Sequence, residues 1–317
     1  MKICLISNLY RPYARGGAER VVEIIAEEVI KNDNQVFLIT ARSFKLGAIF
    51  RPEIKHEFGL KIYRFYPLNL FFYPNDWKYP KFIRFFWHFF DVYNWQSYFL
   101  VKKILKKEKP DIVLTHNLKG LGYLIPKVIK KLGIRQLHTL HDVQLATPSG
   151  LIIKGQEKDW AKPSWPARLY IKINKKLFSQ IPVIISPSHW LLDFYERLGF
   201  FSKAKKLVLP NPVKIPSPTF SKEKLSIDKD YSRKAVSPLN LSIKGNRASE
   251  KVGGNFLYLG QIEDHKGILF LIKVFQKFCA LVDNPGIFFL YCRQRKKNKS
   301  RQNHCPAKSA NCFSGAT

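Results

Sequence analysis

The sequence predicts an α/β protein whose first domain is a doubly wound parallel sheet, and two observations support this. Short apolar runs typical of buried strands occur at residues 2–7, 35–40, 111–115, 135–139 and 182–186. Segments with apolar residues at helical spacing lie between these runs. Strands that alternate with helices in this way pair in parallel, with helices packed on the sheet.

The first strand leads into a glycine loop and then a helix over 18–31. Arg15, Gly16 and Gly17 form the loop. Glycines here let backbone N–H groups approach a ligand, and the following helix N-terminus favours negative charge. Taken alone, two adjacent glycines more often form a plain turn than a binding loop. The spacing is not G-x-G-x-x-G, so the loop disfavours a nicotinamide enzyme.

Histidines follow two of the later strands. His116 and Asn117 come after the run 111–115, and His138, His141 and Asp142 lie at the end of the run 135–139. Ligands bind at this edge of open parallel sheets, so these residues are candidate site residues. A packing or capping role is the alternative for each histidine. No cluster of His, Cys, Asp and Glu has metal-ligand spacing, so we expect no metal ion.

Residues 63–99 contain eighteen of the 45 aromatic residues. The sequence predicts a helix over 82–105 that ends in the lysines Lys102, Lys103, Lys106 and Lys107. One interpretation is an amphipathic helix in a lipid headgroup region, with its lysines near phosphates. The other is that these aromatic side chains line the core of the first domain. The pattern leaves both interpretations open.

Composition divides the chain into four parts. Residues 1–213 form the first domain, and a proline-rich stretch at 210–218 leads into a polar linker or loop over 214–254. A strand at 255–259 opens a second α/β domain, of which 255–291 form the start. The last part, 292–317, is a basic tail that we expect to be disordered.

A second loop between strand and helix lies in this second domain. Its candidate binding residues are Gly260, Gln261, Lys266 and Gly267. A lysine near a helix N-terminus is suited to hold a diphosphate. A solvated loop lysine is the alternative.

The net charge of +31 indicates an anionic partner. Residues 1–213 carry 35 basic and 16 acidic side chains, whereas residues 252–292 are balanced. No helix-turn-helix, zinc-finger or RNP-like pattern accompanies the charge, so we expect no specific nucleic acid partner. No secretory signal, long apolar run or C-x-x-C pair is present, so we expect a cytoplasmic protein.

Six motifs occur in order: GGAERVV at 16–22, PDIVLTHN at 110–117, HTLHD at 138–142, SPSHW at 186–190, LPNPV at 209–213 and FLYLGQIEDHKGILFLIKVF at 256–275. With them the chain resembles the retaining GT-B glycosyltransferases of glycosyltransferase family four. The resemblance implies two Rossmann-like domains that face each other across a cleft. It implies an acceptor in the first domain and a nucleotide-sugar donor in the second.

The resemblance also implies roles for single residues. It places Gly16 and Gly17 beside the donor phosphates and acceptor, His141 at the reaction centre, and Lys266 at the diphosphate. Such a site needs no metal or cofactor, because cationic side chains and helix N-termini stabilise the departing diphosphate. Retention in this family is attributed to a front-face reaction, so no carboxylate nucleophile is expected. Gln261 stands where the family commonly has arginine.

The resemblance fails near the C-terminus. The family's E-x7-E segment belongs beyond residue 300, and nothing there matches it. One allowed set of codons for residues 291–296, read one base further on, encodes a different peptide. That peptide has the sequence of a strand followed by a glycine loop. We therefore expect that the sequence after about Leu290 arises from a frameshift, with a native basic tail as the alternative.

The resulting functional prediction is a glycosyltransferase that acts on a lipid-linked or cell-envelope glycan acceptor. We expect it to be peripheral to the inner face of the plasma membrane, with an anionic membrane surface as a partner. The chain as given is expected to be weakly active or inactive. The alternative function is a non-catalytic truncated remnant that binds an anionic membrane or glycan.

Overall fold

The computed structural model describes residues 1–14, 16–150, 152, 164–214, 255–259, 270–275, 277, 288–292 and 308–310. The chain divides into two compact units, Met1–Ser217 and Pro218–Thr317. The finer division of the second half into linker, domain start and tail stays a prediction.

The first unit is an α/β structure with eight strands and six α-helices in its described part. The strands are β1 (Lys2–Ile6), β2 (Gln35–Ala41), β3 (Glu53–Glu57), β4 (Leu60–Phe65), β5 (Ile112–Thr115), β6 (Arg135–Thr139), β7 (Val183–Ser186) and β8 (Lys205–Val208). The helices are α1 (Gly17–Lys31), α2 (Lys81–Val92), α3 (Trp95–Glu108), α4 (Ile125–Lys131), α5 (Trp165–Phe178) and α6 (His189–Arg197).

All eight strands form one sheet in the order β3-β4-β2-β1-β5-β6-β7-β8. Every neighbouring pair is parallel except β3 and β4, which are antiparallel. The predicted parallel α/β sheet is therefore confirmed. β3 was not predicted, because it is a charged strand at the sheet edge, where charged side chains are usual.

Apolar side chains of the sheet form two buried clusters. Cys4 of β1 belongs to the larger cluster, together with Val101 of α3. Leu5, the next residue, belongs to the smaller cluster, together with Val22 and Ala26 of α1. Successive side chains of a strand point to opposite faces, so these two clusters lie on the two faces of the sheet. Helices cover both faces, as a doubly wound sheet requires.

The predicted single helix over 82–105 is wrong, because the structure contains two helices there. Helix α2 ends at Val92, and Asn94 caps α3. The Asn94 Oδ1 atom accepts a hydrogen bond from the backbone N–H of Ser97 at 2.8 Å. A capping asparagine satisfies an N–H group that has no partner within the helix, so the chain starts a new helix here.

The aromatic residues of 63–99 divide between the two interpretations left open by the sequence. Trp87 of α2 is buried, and its indole N–H donates to the carbonyl of Phe71 at 2.8 Å. Five other aromatic side chains of α2 are exposed: Phe82, Phe85, Phe86, Phe89 and Phe90. Of the helices that the structure describes, none has both the length and the apolar composition needed to cross a bilayer.

The described part of the second unit contains three strands and a short helical stretch. The strands are β9 (Asn255–Leu259), β10 (Phe288–Cys292) and β11 (Lys308–Ala310). Residues 270–275 are helical, and β9 and β10 pair in parallel. β11 pairs antiparallel with β10. This pairing provides hydrogen-bond partners for backbone groups on one side of β10.

Candidate functional site

The candidate site lies where the strand order of the first sheet reverses. β2, which follows β1 in the chain, pairs on one side of β1, and β5 pairs on the other. The backbone N–H of His116 donates to the Ile6 carbonyl at 2.8 Å, and that of Asn8 donates to the Asn117 carbonyl at 2.8 Å. Loops that leave such a point in opposite directions open a crevice for ligands.

Two histidines contact each other at this edge. His116 Nδ1 lies 2.9 Å from His141 Nε2, within hydrogen-bond distance. The rings are stacked, with centroids 5.2 Å apart and planes inclined at 28°. His116 is fully buried, and its Nε2 atom has no hydrogen-bond partner among the described residues. The structure therefore brings together the histidines of two separate motifs.

Burial keeps this pair uncharged. It lowers the pKa of His141 to about 4. Burial, followed by the proximity of His141 and His138, holds the pKa of His116 well below its usual value. A neutral imidazole has one donor and one acceptor nitrogen, so one histidine donates to the other and the pair shares a single hydrogen bond.

Two further predicted site residues join the loops that follow β5 and β6. Asn117 Nδ2 donates to Asp142 Oδ2 at 3.2 Å. The backbone N–H of Gln144 donates to Asp142 Oδ1 at 2.9 Å, and the Gln144 side chain donates to Asn117 Oδ1. Burial raises the pKa of Asp142. The network fixes the spacing between the two loops that carry His116 and His141.

Tyrosines from two helices hold the loop that carries His141. Tyr195 Oη, on α6, donates to the Asp142 carbonyl at 2.9 Å and accepts from the Leu145 N–H at 3.2 Å. Tyr170 Oη, on α5, donates to the Gln144 carbonyl at 2.9 Å. Neither tyrosine is marked by a motif in the sequence. Their partners lie 26 to 53 residues away in the chain, so no local pattern identifies them.

His138 is not part of the crevice. Its Nδ1 atom lies 3.0 Å from Thr115 Oγ1, and its ring packs edge-on against Phe178 at 5.3 Å. The side chain is buried, and burial lowers its pKa to about 3. For this histidine the packing role that the sequence left open is the one that the structure supports.

Gly16 and Gly17 lie at the start of α1, in the loop after β1. Gly16 is extended, and its N–H donates to the Glu19 carboxylate at 2.8 Å. A Cβ atom on Gly17 would have no atom within 4 Å, and one on Gly16 would make only an ordinary contact with Glu19. The side-chain position of Gly17 therefore faces open space among the described residues. No hydrogen bond between described residues joins either glycine to the histidine pair.

A buried lysine follows His116 by three residues in the loop after β5. Lys119, which the sequence analysis did not identify, is 5% exposed, and its Nζ stands 4.6 Å from the centroid of the Tyr73 ring. Burial lowers its pKa. Its loop is fixed on both sides, because Asn8 Nδ2 donates to the Lys119 carbonyl at 2.8 Å and Gly120 N–H donates to Asp91 Oδ2 at 2.8 Å.

The second predicted loop cannot be placed beside the first. Gly260, Gln261, Lys266 and Gly267 lie outside the described residues, so their roles stay predictions. Across the described ranges, no group of three His, Cys, Asp or Glu side chains is arranged to hold a metal ion.

An open pocket of about 590 Å³ occurs elsewhere in the first unit. It lies beneath the loop after β4, with Phe44, Leu68, Leu70 and Tyr79 among its lining residues. It shares no residue with the histidine site. This pocket is therefore separate from the reaction centre that the motifs predict.

Comparison with known proteins places the first unit in a family. The family model described as Glycosyltransferase Family 4 matches residues 15–215. The chain is also 29% identical over 214 residues to an uncharacterized 42.6 kDa protein in the cps region of Klebsiella pneumoniae. This alignment covers 68% of the present chain and 56% of the relative.

Solved structures with a similar fold include a sucrose-phosphate synthase from Thermosynechococcus elongatus, with a TM-score of 0.54 at 16% identity. The similarity covers 92% of this chain and 61% of that one. A trehalose-6-phosphate structure from E. coli bound with UDP-2-fluoro glucose has a TM-score of 0.51 at 13% identity, with coverages of 92% and 64%. The similarity confirms the predicted fold, and the chain spans less than two thirds of the length of these proteins.

Proposed function

Because the chain belongs to glycosyltransferase family 4, we propose that its protein transfers a sugar from a nucleotide-sugar donor to a lipid-linked or other cell-envelope glycan. The family match covers the whole histidine site. The observation that carries the proposal is the neutral, hydrogen-bonded pair of His116 and His141 at the point where the strand order reverses. The transfer proceeds with retention, the outcome that the family resemblance implies.

In this proposal, His141 contacts a sugar hydroxyl at the reaction centre. Its pKa of about 4 keeps the ring neutral at physiological pH, so the imidazole can form a hydrogen bond with a sugar hydroxyl without carrying a positive charge. His116 holds the ring in place through the 2.9 Å contact. A side chain held by a buried partner keeps its orientation when substrate binds, which favours catalysis.

Negative charge develops on the nucleoside diphosphate as it departs. We assign the stabilisation of this charge to Lys266 and to the loop that contains Gly260, Gln261 and Gly267. The N-terminus of α1 at Gly17 contributes from the acceptor side. The structure determined with UDP-2-fluoro glucose supports a nucleotide-sugar donor by analogy. The proposal includes no metal or other cofactor, as the family resemblance implies.

The acceptor and the location form a second part of the proposal. Residues 1–213 have a surplus of 19 basic side chains, which favours a phosphorylated lipid acceptor and an anionic membrane over a neutral glycan. We propose that the protein works peripherally at the inner face of the plasma membrane. The basic residues come without a nucleic-acid recognition motif, so specific nucleic acid binding is not proposed.

A third part of the proposal concerns the C-terminal sequence. We propose that the chain is truncated or frameshifted after about Leu290 and that the 317-residue product transfers sugar weakly or not at all. The DNA across codons 285–320 tests this directly. A shifted frame that continues into an E-x7-E segment supports it, and an early stop in that frame contradicts it.

The test of sugar transfer uses the chain with its reading frame restored after about Leu290, a panel of radiolabelled UDP-, GDP- and ADP-sugars, and a membrane lipid extract as acceptor. The expected result is a labelled lipid or glycan from one donor, with loss of the signal in His141→Ala. Failure to release nucleoside diphosphate from any donor would contradict the proposal. In that case the second candidate applies, a non-catalytic remnant that binds an anionic membrane or glycan.

A further inference from the structure

Helix α2 has an apolar face on its outer side. Its inward face contains Trp87, Asp91 and Val92, which are 1–4% exposed. The opposite face presents five phenylalanines that are 46–65% exposed, at the helical spacing i, i+3, i+4, i+7 and i+8. They are Phe82, Phe85, Phe86, Phe89 and Phe90. Surface helices of soluble domains normally place polar residues on that face, so this stripe requires a covering partner.

Helix α3 also has exposed aromatic side chains, and its exposed side becomes basic further along. Trp95 and Phe99 are 57% and 61% exposed. One and two turns further along the same helix, Lys103 and Lys106 are exposed, and Lys107 lies beside them. An apolar surface with basic residues at one end is typical of helices that lie in a membrane interface.

The loop after β4 adds two exposed leucines next to the start of α3. Leu68 and Leu70 are 51% and 50% exposed. The Leu68 N–H donates to Gln96 Oε1 at 3.1 Å, which ties this loop to the first turn of α3 beside Trp95. We call the exposed residues of α2, of the first turns of α3 and of this loop the docking face. They are Leu68, Leu70, Phe82, Phe85, Phe86, Phe89, Phe90, Trp95 and Phe99.

We propose that the docking face inserts into the headgroup region of an anionic bilayer. The aromatic side chains would bury apolar area against acyl chains while Lys103 and Lys106 approach lipid phosphates. Charge favours this partner over a second copy of the chain. An isologous contact through this surface would bring the lysines of two strongly basic first units toward each other.

This inference rests on the proposed function, which includes a lipid-linked acceptor. It deepens that proposal by naming the surface that contacts the membrane. The 590 Å³ pocket lies beside it, because Leu68 and Leu70 belong to both the docking face and the pocket lining. Docking itself involves no sugar chemistry. Binding to vesicles that contain neither donor nor acceptor therefore tests the docking face separately from the transferase.

The experiment is flotation of the purified 317-residue chain with vesicles of phosphatidylcholine alone and of phosphatidylcholine with 30% phosphatidylglycerol. We expect the wild type to float with the anionic vesicles. Phe85→Ser with Phe89→Ser should lower the bound fraction at least about tenfold, because two phenylalanines lose their burial in the bilayer. Lys103→Glu with Lys106→Glu should lower binding to the anionic vesicles by a similar factor.

Matched control variants distinguish binding through the docking face from nonspecific apolar or electrostatic binding to vesicles. Phe58→Ser with Trp190→Ser removes two aromatic side chains that are 95% and 60% exposed elsewhere on the first unit. Lys203→Glu with Lys205→Glu makes the same charge change at the edge of the sheet. Both control pairs should float like the wild type.

Two results would overturn the inference. One is flotation of the Phe85→Ser, Phe89→Ser variant to the same extent as the wild type. The other is a wild type that binds no vesicles and forms dimers that this variant dissociates, because the face would then bind a second copy. The melting temperature of each variant verifies that it is folded, as expected for substitutions of exposed side chains.

Discussion

His116 Nδ1 lies 2.9 Å from His141 Nε2, although 25 residues separate the two in the chain. The parallel pairing of β5 with β6 brings them together, because His116 follows one strand and His141 follows the other. Donation from His116 leaves its buried Nε2 as an acceptor without a partner, which costs less than a buried N–H without one. We therefore expect His116 to donate and to act as the positioning residue for His141.

Replacement of His116 tests the positioning role. His116→Leu should lower the rate of sugar transfer roughly 10- to 100-fold, because the His141 ring loses its buried partner. His116→Asn, whose amide can replace Nδ1 as donor, should recover part of that loss. The measurement is the kcat of both variants, with nucleotide-sugar KM as a second readout. Equal rates for the two variants would show that the hydrogen bond has no part in positioning.

Acidification should destabilise the first unit between pH 6.5 and 5. Four wholly or partly buried histidines have pKa values that burial lowers: His88 to about 3, His116 well below its usual value, His138 to about 3 and His141 to about 4. In this range the unfolded chain binds protons at these histidines and the folded chain does not, so stability falls as pH falls.

Two carboxyl groups act in the opposite direction. Burial raises the pKa of Asp91 to about 7 and also raises that of Asp142, so these groups favour the folded state at the lower pH. Each of these groups changes the free energy of unfolding by at most about 1.4 kcal/mol per pH unit. The loss from four histidines therefore exceeds the gain from two carboxyl groups. Melting temperatures at pH 7, 6 and 5 measure the net effect. A melting temperature that rises on acidification would contradict this balance.

Only glycine fits at position 120, because the backbone there lies close to Tyr73. Its φ is +85°, and a Cβ atom would lie 2.7 Å from Tyr73 Cβ. Gly120→Ala should therefore lower the free energy of unfolding by about 2 kcal/mol or more, the sum of backbone strain and a steric clash. Gly133 is the matched control, since its φ is +69° and no atom lies within 4 Å. Gly133→Ala should cost only about 1 kcal/mol, and equal losses would refute the clash.

Glu108 accepts hydrogen bonds from three groups that connect α3 to the sheet. Lys2 Nζ and Lys61 Nζ donate at 2.6 and 2.7 Å, and Tyr63 Oη also donates to it. Burial raises the pKa of Glu108, but these hydrogen bonds outweigh burial and lower it to about 2. The pairing thus stabilises the fold above about pH 4.5 and is lost as pH falls toward 2.

Glu108→Gln should lower the free energy of unfolding by about 2–3 kcal/mol at pH 7, because two lysines lose a largely buried carboxylate partner. Glu28→Gln removes a pair with Lys31 whose side chains are more than 60% exposed, and it should cost at most about 0.5 kcal/mol. Urea denaturation measures both losses. A Glu108→Gln loss no larger than that of Glu28→Gln would show that the pairing does not stabilise the fold.

The parallel sheet and the histidine pair were predictable because both follow from local patterns. Apolar runs at 111–115 and 135–139 mark strands, and polar residues directly after parallel strands meet at one edge. The sequence therefore predicted that His116 and His141 lie at the same edge of the sheet, but not that their rings are in contact. The sequence did not distinguish His138 from these two histidines. The side chain of His138 is buried against Phe178, and position in a strand alone does not show which side chains face the crevice.

The remaining features depend on contacts between distant segments. Tyr195 holds the loop after β6 across 53 residues, and nothing near it in the sequence indicates that role. The restart of the helix at Asn94 depends on one capping hydrogen bond within an apolar periodic run. The aromatic content of α2 predicted a buried or membrane-facing helix equally well, because hydrophobic periodicity cannot show which face the rest of the fold covers.

The most direct test of the central claim is the rate of sugar transfer by His141→Ala, made in the chain whose reading frame is restored after about Leu290. We predict a loss of at least about 100-fold in kcat, with the melting temperature and the affinity for the nucleotide sugar close to wild type. Transfer by His141→Ala within about threefold of the wild-type rate would show that the histidine pair is not the reaction centre.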